Sequence, residues 1–501
     1  MNVPDTDWIG KWAIYSPNKI ALKEVDNGRT LTYHQLNQLA SKVANYLTTQ
    51  HSLKKGDRIA IIAENCLEYF ILFSTAQKTG LILVPLNYRL TSPELADLFA
   101  KTEPVLTIVE DQFREKLNAV PAHLRGSMQL TLAELIEISS AQQAEKVIDF
   151  HAIHISSDDP IFILFTSGTT GYPKGTIYSH KMLFWNSMNT SLSLIINSDS
   201  RSIHCLPPFH TGGWNVLSTP LLHHGGCICV TKKFEPKQIL QILAEEKITV
   251  FMGVPTMLKM MAEQPDFSTC DLSNLYYIIV GGEPMPIPLI EKWHTRKIPI
   301  RQGYGMTEVG PNLTSLHQRD AKTKKGSIGR PNFYVRVRII DDKGREVKCG
   351  ETGELVIKGP MVTPGYWKDE AATQEAFHQD WFKTGDLVRM DEEGYLYVVD
   401  RIKNMYISGG ENVYPAEVER ILDAHSDISE AAVVAVPDKK WGETGKAFVV
   451  RSSGSELTID QIIAHCKHRL AAFKIPKYIT FVDSIPKNES GKVDRKTLKG
   501  K

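Results

Sequence analysis

Apolar residues recur at Leu36, Leu39, Ala40, Val43 and Leu47, a stripe with the period of a helix, and Thr32 with Gln35 stands at its head. This pairing is the reciprocal arrangement of a capping box, so an amphipathic helix is predicted from Thr32 onward. The pattern then changes period. Residues 58–63 and 81–84 are short apolar runs that read as buried strands, residues 66–78 read as a helix between them, and Gly80 leads into the second strand. Strands alternating with helices at this spacing imply a parallel sheet flanked by helices. Strand-like runs recur at 203–206, 227–231, 250–252 and 276–280. A layered α/β lobe is expected.

From Gly326 the texture becomes closely spaced β patterns, at 335–340, 353–357 and 395–399, separated by turn-rich stretches such as Asp341-Asp342-Lys343-Gly344. A β subdomain over 326–400 follows from this. After Asp400 the pattern reads helix (415–424), strands (431–436 and 447–450), helix (459–471) and a last strand (478–482). The expected fold class is α/β: a large N-terminal lobe over 1–400, made of layered α/β subdomains plus the β subdomain, then a small α+β domain over 404–501. No low-complexity tract, coiled coil or internal repeat interrupts the pattern.

Composition narrows the class. At 501 residues the chain is too long for one core, which agrees with two or three lobes. A net charge of +1 gives no global reason for nucleic acid or an anionic membrane, and the cluster Lys322, Lys324 and Lys325 reads as a solvated loop. No apolar run approaches the roughly 18 residues of a membrane span, the first residues lack a targeting pattern, and the last three are not a Ser-Lys-Leu address. A cytoplasmic enzyme is expected. Seven dispersed cysteines point to reduced thiols. Cys227 and Cys229, near His223 and His224, form the local cluster; their spacing is not a zinc pattern, and they read as part of a strand.

Residues 161–165 form a β-branched and aromatic run, followed by Thr166, Ser167, Gly168, Thr169, Thr170, Gly171, Tyr172, Pro173, Lys174 and Gly175. So many hydroxyls and glycines cannot continue a ladder, and a loop is expected. Glycines let backbone N–H groups approach an anion, hydroxyls add donors without bulk, and Lys174 supplies a mobile charge, all of which suit a triphosphate. Pro173 before the lysine and Gly175 after it exclude a Walker A loop.

This loop resembles the signature of the adenylate-forming superfamily, which includes acyl-CoA synthetases, luciferases and peptide-synthetase adenylation domains. Further stretches match in the family's order: Tyr304-Gly305-Met306-Thr307-Glu308, Thr384-Gly385-Asp386, Asp400-Arg401-Ile402-Lys403 with the run from Ser408 to Glu419, and Pro486-Lys487-Asn488-Glu489-Ser490-Gly491-Lys492. The resemblance spans nearly the whole chain and implies an acid–thiol ligase that forms an acyl-adenylate from ATP and then an acyl-CoA. It assigns the β- and γ-phosphates to Lys174 and the loop 166–171, phosphate contact to Thr307, and Mg²⁺ to Glu308. Adenosine falls to Tyr304 as stacking aromatic, to Gly281, Gly282 and Glu283 as the opposite loop, to Asp386 as ribose acceptor and to Arg401. Lys492 matches the family's catalytic lysine, and Lys403 its hinge over 401–403, about which the small C-terminal domain swings. Ser408, Gly409, Gly410, Glu411 and Trp441 would then line CoA.

The acyl pocket is implied at His210, Thr211, Gly212, Gly213 and Trp214, with Gly303, Gly305 and Met306, and His210 is placed near the carboxylate. Residues 209–215 contain no acid to pair with a substrate ammonium, which favours a carboxylic acid that is not an amino acid. The expected substrate is a fatty acid of modest length, with aryl acids open and the orientation of Trp214 undecided. Loading of a carrier-protein phosphopantetheine is the alternative acceptor. Luciferase-type oxygenation and a catalytically inactive nucleotide-binding scaffold stand behind it.

Overall fold

The computed structural model describes residues 6–140, 150, 153–166, 173–283, 285–408, 411–439, 441–467, 469–488 and 491–500, with Asn412 as backbone only. The hairpin β1 (Ile20–Glu24) and β2 (Thr30–Thr32) leads into the helix Tyr33–Asn45. Its capping box is formed as the spacing predicts: the Gln35 N–H donates to Thr32 Oγ1 at 3.2 Å and the Thr32 N–H to Gln35 Oε1 at 2.9 Å.

Strands β3 (Arg58–Ile62), β4 (Ile82–Pro85), β5 (Leu106–Val109), β6 (Met128–Thr131), β7 (Pro160–Thr166) and β8 (Lys174–Ser179) form one sheet in the order β6-β5-β3-β4-β7-β8. All pairs are parallel except the last. The helix Leu67–Thr79 between β3 and β4 is buried along its whole length, which explains why it lacks a polar face. At β7 and β8 the structure departs from the sequence reading. The ladder resumes at Lys174, opposite Thr166, because Thr176, Ile177 and Tyr178 pair with Leu164, Ile163 and Phe162. The two described residues that flank most of the signature loop, Thr166 and Lys174, are thus paired in an antiparallel ladder.

Strands β9 (Arg201–His204) and β10 (Cys227–Val230) join the first hairpin in a sheet ordered β2-β1-β10-β9. A third sheet has parallel β11 (Val250–Gly253), β12 (Tyr277–Val280) and β13 (Ile300–Met306), extended by antiparallel β14 (Gly310–Ser315) and β15 (Arg330–Pro331). The β region that follows is antiparallel throughout: β16 (Arg336–Ile340), β17 (Thr352–Lys358), β18 (Phe377–His378), β19 (Trp381–Met390) and β20 (Leu396–Arg401). Burial alternates along β19, as expected where one face is solvated.

The C-terminal sheet contains β21 (Tyr406–Ser408), β22 (Glu411–Val413), β23 (Ile428–Asp438), β24 (Gly442–Arg451) and β25 (Tyr478–Phe481), covered by the helices Pro415–Asp423 and Ile459–Lys467. The second helix stops before the predicted residue 471. The N–H groups of Arg469 and Leu470 both turn back to the Cys466 carbonyl, at 2.9 and 2.8 Å, which lets Leu470 and Phe473 pack on the core.

Between the lobes lies one 3₁₀ turn, Ile402–Asn404. Asp400 pins its base. The carboxylate Oδ1 accepts from the Arg401 N–H at 2.6 Å and from Asn404 Nδ2 at 3.1 Å, while Oδ2 accepts from the Ala416 N–H at 2.8 Å. Ala416 is in the first turn of the helix Pro415–Asp423, where a negative charge also meets the positive end of the helix. Among the described residues no helix is long and apolar enough to cross a membrane.

Candidate active site

The parallel strands of the third sheet end together at Gly253, Val280 and the glycines of β13, and the crevice outside such carboxyl ends is where α/β sheets take ligands. Glu308 follows β13 in the turn Thr307–Val309 and is buried with Thr307. Its Oε1 accepts from Thr166 Oγ1 at 3.1 Å and from the Tyr366 hydroxyl at 3.2 Å, and its carbonyl accepts from the Thr363 N–H at 2.7 Å. Lys174 Nζ lies 5.0 Å above the Tyr366 ring. Thr166, Lys174, Thr307 and Glu308, far apart in sequence, therefore share one corner. Tyr366, which holds the carboxylate and faces the lysine, was not singled out from sequence. Its only signal is an aromatic residue after the Pro364-Gly365 turn. Ser167, Gly168, Thr169, Thr170 and Gly171 lie outside the described residues, as do Gly409 and Gly410.

A second corner is built on the β19–β20 register, which sets Asp386 opposite Arg401. Arg401 Nε is 2.6 Å from Asp386 Oδ1, and the Tyr304 hydroxyl donates to Oδ2 at 2.5 Å. Asp386 is 3% exposed. Burial pushes its carboxyl up despite the opposing pull of Arg401, the Tyr304 hydrogen bond and Lys492. The Tyr304 hydroxyl is raised by burial and then by Asp386, so it remains a donor. Gly282 at φ +87° supplies the left-handed turn after β12 that carries Gly281 and Glu283. Burial also raises the Glu283 carboxyl, against Lys487 and Lys492.

The charge of Lys492, from the C-terminal domain, is felt at Asp386 and Glu283. Its turn is closed by the Lys492 N–H donating to Asn488 Oδ1 at 3.0 Å and the Asn488 N–H to the Lys492 carbonyl at 2.7 Å. The turn is moored by Arg495, whose guanidinium grips both oxygens of Glu419 at 2.6 and 2.9 Å. Crowding by protein lowers the Lys492 ammonium, with Arg401 adding to the effect and Glu283 and Asp386 opposing it. The side chain still meets water, so the depression is smaller than full burial would give. The sequence-predicted Lys492, Asp386, Arg401 and Glu283 thus occupy one electrostatic neighbourhood.

The field of Lys492 also reaches His210, which burial drives down to about 4, with Lys492 and Arg89 adding to the shift. His210 is therefore neutral at physiological pH, and its Nε2 has no protein partner. The following residues are only partly what the sequence suggested. Gly212 has ordinary space around it, with an added Cβ 3.8 Å from Leu206. A Cβ on Gly213 would stand 2.7 Å from the Pro207 carbonyl, and one on Gly305 2.3 Å from the Pro311 backbone, so these two glycines permit close chain approach rather than open a pocket. Gly303 and Met306 lie along β13, and Met306 packs against the core of the β region. Trp214 is a correction. It is fully buried, packed at 5.2 Å on both Phe70 and Phe162, and its Nε1 donates to the Pro208 carbonyl at 2.6 Å. An indole held this way belongs to the hydrophobic core and does not gate a pocket.

Lys403 sits in the exposed 3₁₀ turn between the lobes. Ser408 is buried in β21 and paired with Gly442, which brings Glu411 and the 38% exposed Trp441 to one end of the C-terminal sheet. An open depression of about 360 Å³ beside Phe99, Glu103 and His123 contains none of these residues.

Residues 10–367 match the family described as AMP-binding enzyme, and residues 417–492 match the AMP-binding enzyme C-terminal domain. The chain is 35% identical over 489 residues to a feruloyl-CoA synthase of an Amycolatopsis species, covering 97% of each. It is 34% identical over 494 residues to the long-chain-fatty-acid–CoA ligase FadD13 of Mycobacterium tuberculosis, covering 97% of this chain and 96% of that one. ATP-bound MatB from Rhodopseudomonas palustris superposes with a TM-score of 0.92 at 31% identity, over 99% of this chain and 98% of that one. The Bacillus subtilis o-succinylbenzoate CoA synthetase MenE, in complex with the acyl-adenylate intermediate OSB-AMP, gives 0.88 at 31% identity, over 100% and 98%. With both parts of the family matched, the chain belongs to the AMP-binding enzymes of the adenylate-forming superfamily, in the CoA ligase branch.

Proposed function

We propose that this protein is an ATP-dependent carboxylate–CoA ligase. A carboxylate oxygen attacks the α-phosphorus of ATP, the bond to the β-phosphate oxygen breaks, and pyrophosphate leaves; the CoA thiolate then displaces AMP from the acyl carbon. The observation that carries this reading is the pair of held carboxylates: Thr166 and Tyr366 bond Glu308 beside Lys174, and Tyr304 and Arg401 bond Asp386.

Charge stabilisation is the main demand of the first step. Thr166, Lys174 and the loop 167–171 hold the β- and γ-phosphates, Thr307 donates to phosphate oxygen, and Lys492 neutralises charge developing between carboxylate and α-phosphate. Asp386 accepts from the ribose, with Tyr304 and the 281–283 loop around the base and Arg401 beside it. His210, neutral, offers a ring nitrogen near the carboxylate without adding charge. Glu308 and its flanking hydroxyls are hard oxygen donors of the kind that suits Mg²⁺. Bound there with the phosphates, the ion would supply Lewis-acid stabilisation of the leaving pyrophosphate.

For the second step the domain pivots at Lys403 and presents Ser408, Gly409, Gly410, Glu411 and Trp441 to CoA. The domains are then 1–400 and 404–501, with 401–403 between them. The acid is an aryl or fatty carboxylic acid: relatives named for ferulate and for indoleacetate support the first, and FadD13 the second. The test is purified enzyme with ATP and a panel of carboxylic acids. The expected result is pyrophosphate release that requires an acid and thioester that requires CoA. ATP turnover indifferent to acid would contradict the ligase, and thioester formed only on a holo-carrier protein would contradict CoA as acceptor.

A further inference from the structure

Tyr366 touches both charged groups of the phosphate corner, and the segment that carries it is fixed from two sides. It runs antiparallel to β8, with Tyr366 opposite Thr176, the Ile177 N–H donating to the Gly365 carbonyl at 3.1 Å and the Trp367 N–H to the Gly175 carbonyl at 2.7 Å. Lys174 is two residues before Thr176 on the same strand, and so shares its face with Tyr366. Thr363 ties the segment to the other charge. Its N–H donates to the Glu308 carbonyl at 2.7 Å and its hydroxyl to the Ile177 carbonyl at 2.7 Å. The Tyr366 N–H donates to Thr373 Oγ1 at 2.9 Å, which closes the turn behind the ring.

We propose that Tyr366 is a positioning residue that keeps Lys174 and Glu308 from pairing with each other, so that both charges stay available to ATP and its Mg²⁺. The inference rests on the phosphate and metal roles given to those two residues under the proposed function. Opposite charges brought to one corner attract most strongly where water is scarce, and Glu308 is buried. Yet neither Lys174 nor Glu308 takes part in an ion pair among the described residues. The phenol serves each of them separately. Its hydroxyl donates to Glu308 Oε1 at 3.2 Å, and its ring face takes the Lys174 ammonium, 5.0 Å from the centroid, in a cation–π contact.

The two halves of the side chain do different work. Thr166 also donates to Oε1, so both protein hydrogen bonds fall on one carboxylate oxygen and Oε2 is left to a hard cation. A lysine resting on a ring face is held weakly enough for triphosphate oxygens to draw it away, whereas a lysine bonded to a buried carboxylate must first break that bond. Phenylalanine could keep the ring contact and lose the hydroxyl, and an aliphatic residue would lose both.

Wild type, Tyr366→Phe and Tyr366→Leu, each with and without Lys174→Ala, would be titrated calorimetrically with ATP and with AMP over a Mg²⁺ series, without acid. AMP lacks the β- and γ-phosphates and should bind all six proteins alike, which also reports that they are folded. In Tyr366→Phe the Mg²⁺ concentration that half-saturates ATP binding should rise roughly 10-fold, as for one lost hydrogen bond to a charged acceptor. Lys174→Ala should weaken ATP binding there by the same factor as in wild type. In Tyr366→Leu, where Glu308 can capture the lysine, Lys174→Ala should cost roughly 5-fold less than in wild type, the non-additivity of coupled residues. Should Tyr366→Leu not fold, Tyr366→Phe decides alone, through the Mg²⁺ shift at unchanged AMP affinity. Additive losses in the Leu background, or wild-type Mg²⁺ dependence in Tyr366→Phe, would overturn the positioning role. Wild-type ATP binding indifferent to both Mg²⁺ and Lys174→Ala would contradict the phosphate and metal roles of Lys174 and Glu308, and this inference with them.

Discussion

Arg401 Nε stands 2.6 Å from Asp386 Oδ1, an ion pair that joins the last residue of β20 to the middle of β19. The Tyr304 hydroxyl occupies the other carboxylate oxygen at 2.5 Å. Asp386 is thereby held in place, and under the proposed function it would offer a ribose hydroxyl a fixed acceptor. Asp386→Asn removes the charge that strengthens those bonds, a loss of about 1.5–3 kcal/mol for a charged acceptor. ATP should bind roughly 10- to 100-fold more weakly by calorimetry. Unchanged affinity in the folded variant would remove Asp386 from the nucleotide site.

Lys492 is the catalytic group that the proposed function assigns to the C-terminal domain. Lys492→Ala should slow acyl-adenylate formation by roughly 10²- to 10³-fold, by analogy with loss of one oxyanion donor. Thioester formation from supplied acyl-adenylate should be largely retained. Equal damage to both half-reactions would refute the assignment.

Lys403 lies in a 3₁₀ turn, whose φ of about −60° suits proline. Lys403→Pro should therefore favour the orientation seen here, in which the charge of Lys492 is felt at Asp386 and Glu283. Single-turnover pyrophosphate release is expected near wild type, and transfer from adenylate to CoA strongly reduced. If both rates are unchanged, the domain does not pivot at this residue.

Asp423, in the helix after the Asp400 pin, gives a pH signature. Burial raises its carboxyl to about 7, with Glu419 adding and Lys259 of the larger lobe opposing. Between the unfolded value of about 3.9 and the folded one, the native state keeps a proton that the unfolded chain has shed. Its contribution is complete below the unfolded value and is lost as pH rises toward and through about 7. Relative to Asp423→Asn, wild-type stability in denaturant titrations should fall from pH about 5 to 8, by at most about 1.4 kcal/mol per pH unit. A difference independent of pH would show that Asp423 titrates normally.

Local signals in the sequence carried far. The Thr32–Gln35 box, the β-strand periods and the run from Tyr304 to Glu308 depend on neighbours a few residues away, and the structure contains them where the pattern placed them. What stayed hidden depends on long-range packing. Whether Trp214 points into a pocket or a core is decided by Phe70 and Phe162. The hydrogen bond of Tyr366 to Glu308 and the bond from the Ala416 N–H to Asp400 join segments with no shared periodicity. Lys174 reads as a loop residue in the sequence because the glycines before it mask a ladder that resumes on the lysine itself.

The central claim is that the acid becomes activated through its own oxygen bonded to the α-phosphorus of ATP. An acid carrying a heavy oxygen isotope in both carboxylate positions tests it in one turnover with CoA. Mass spectrometry should find one labelled oxygen in AMP, one in the acyl-CoA and none in pyrophosphate. Label in inorganic phosphate together with ADP, or unlabelled AMP alongside thioester, would contradict an acyl-adenylate and with it this account of the site.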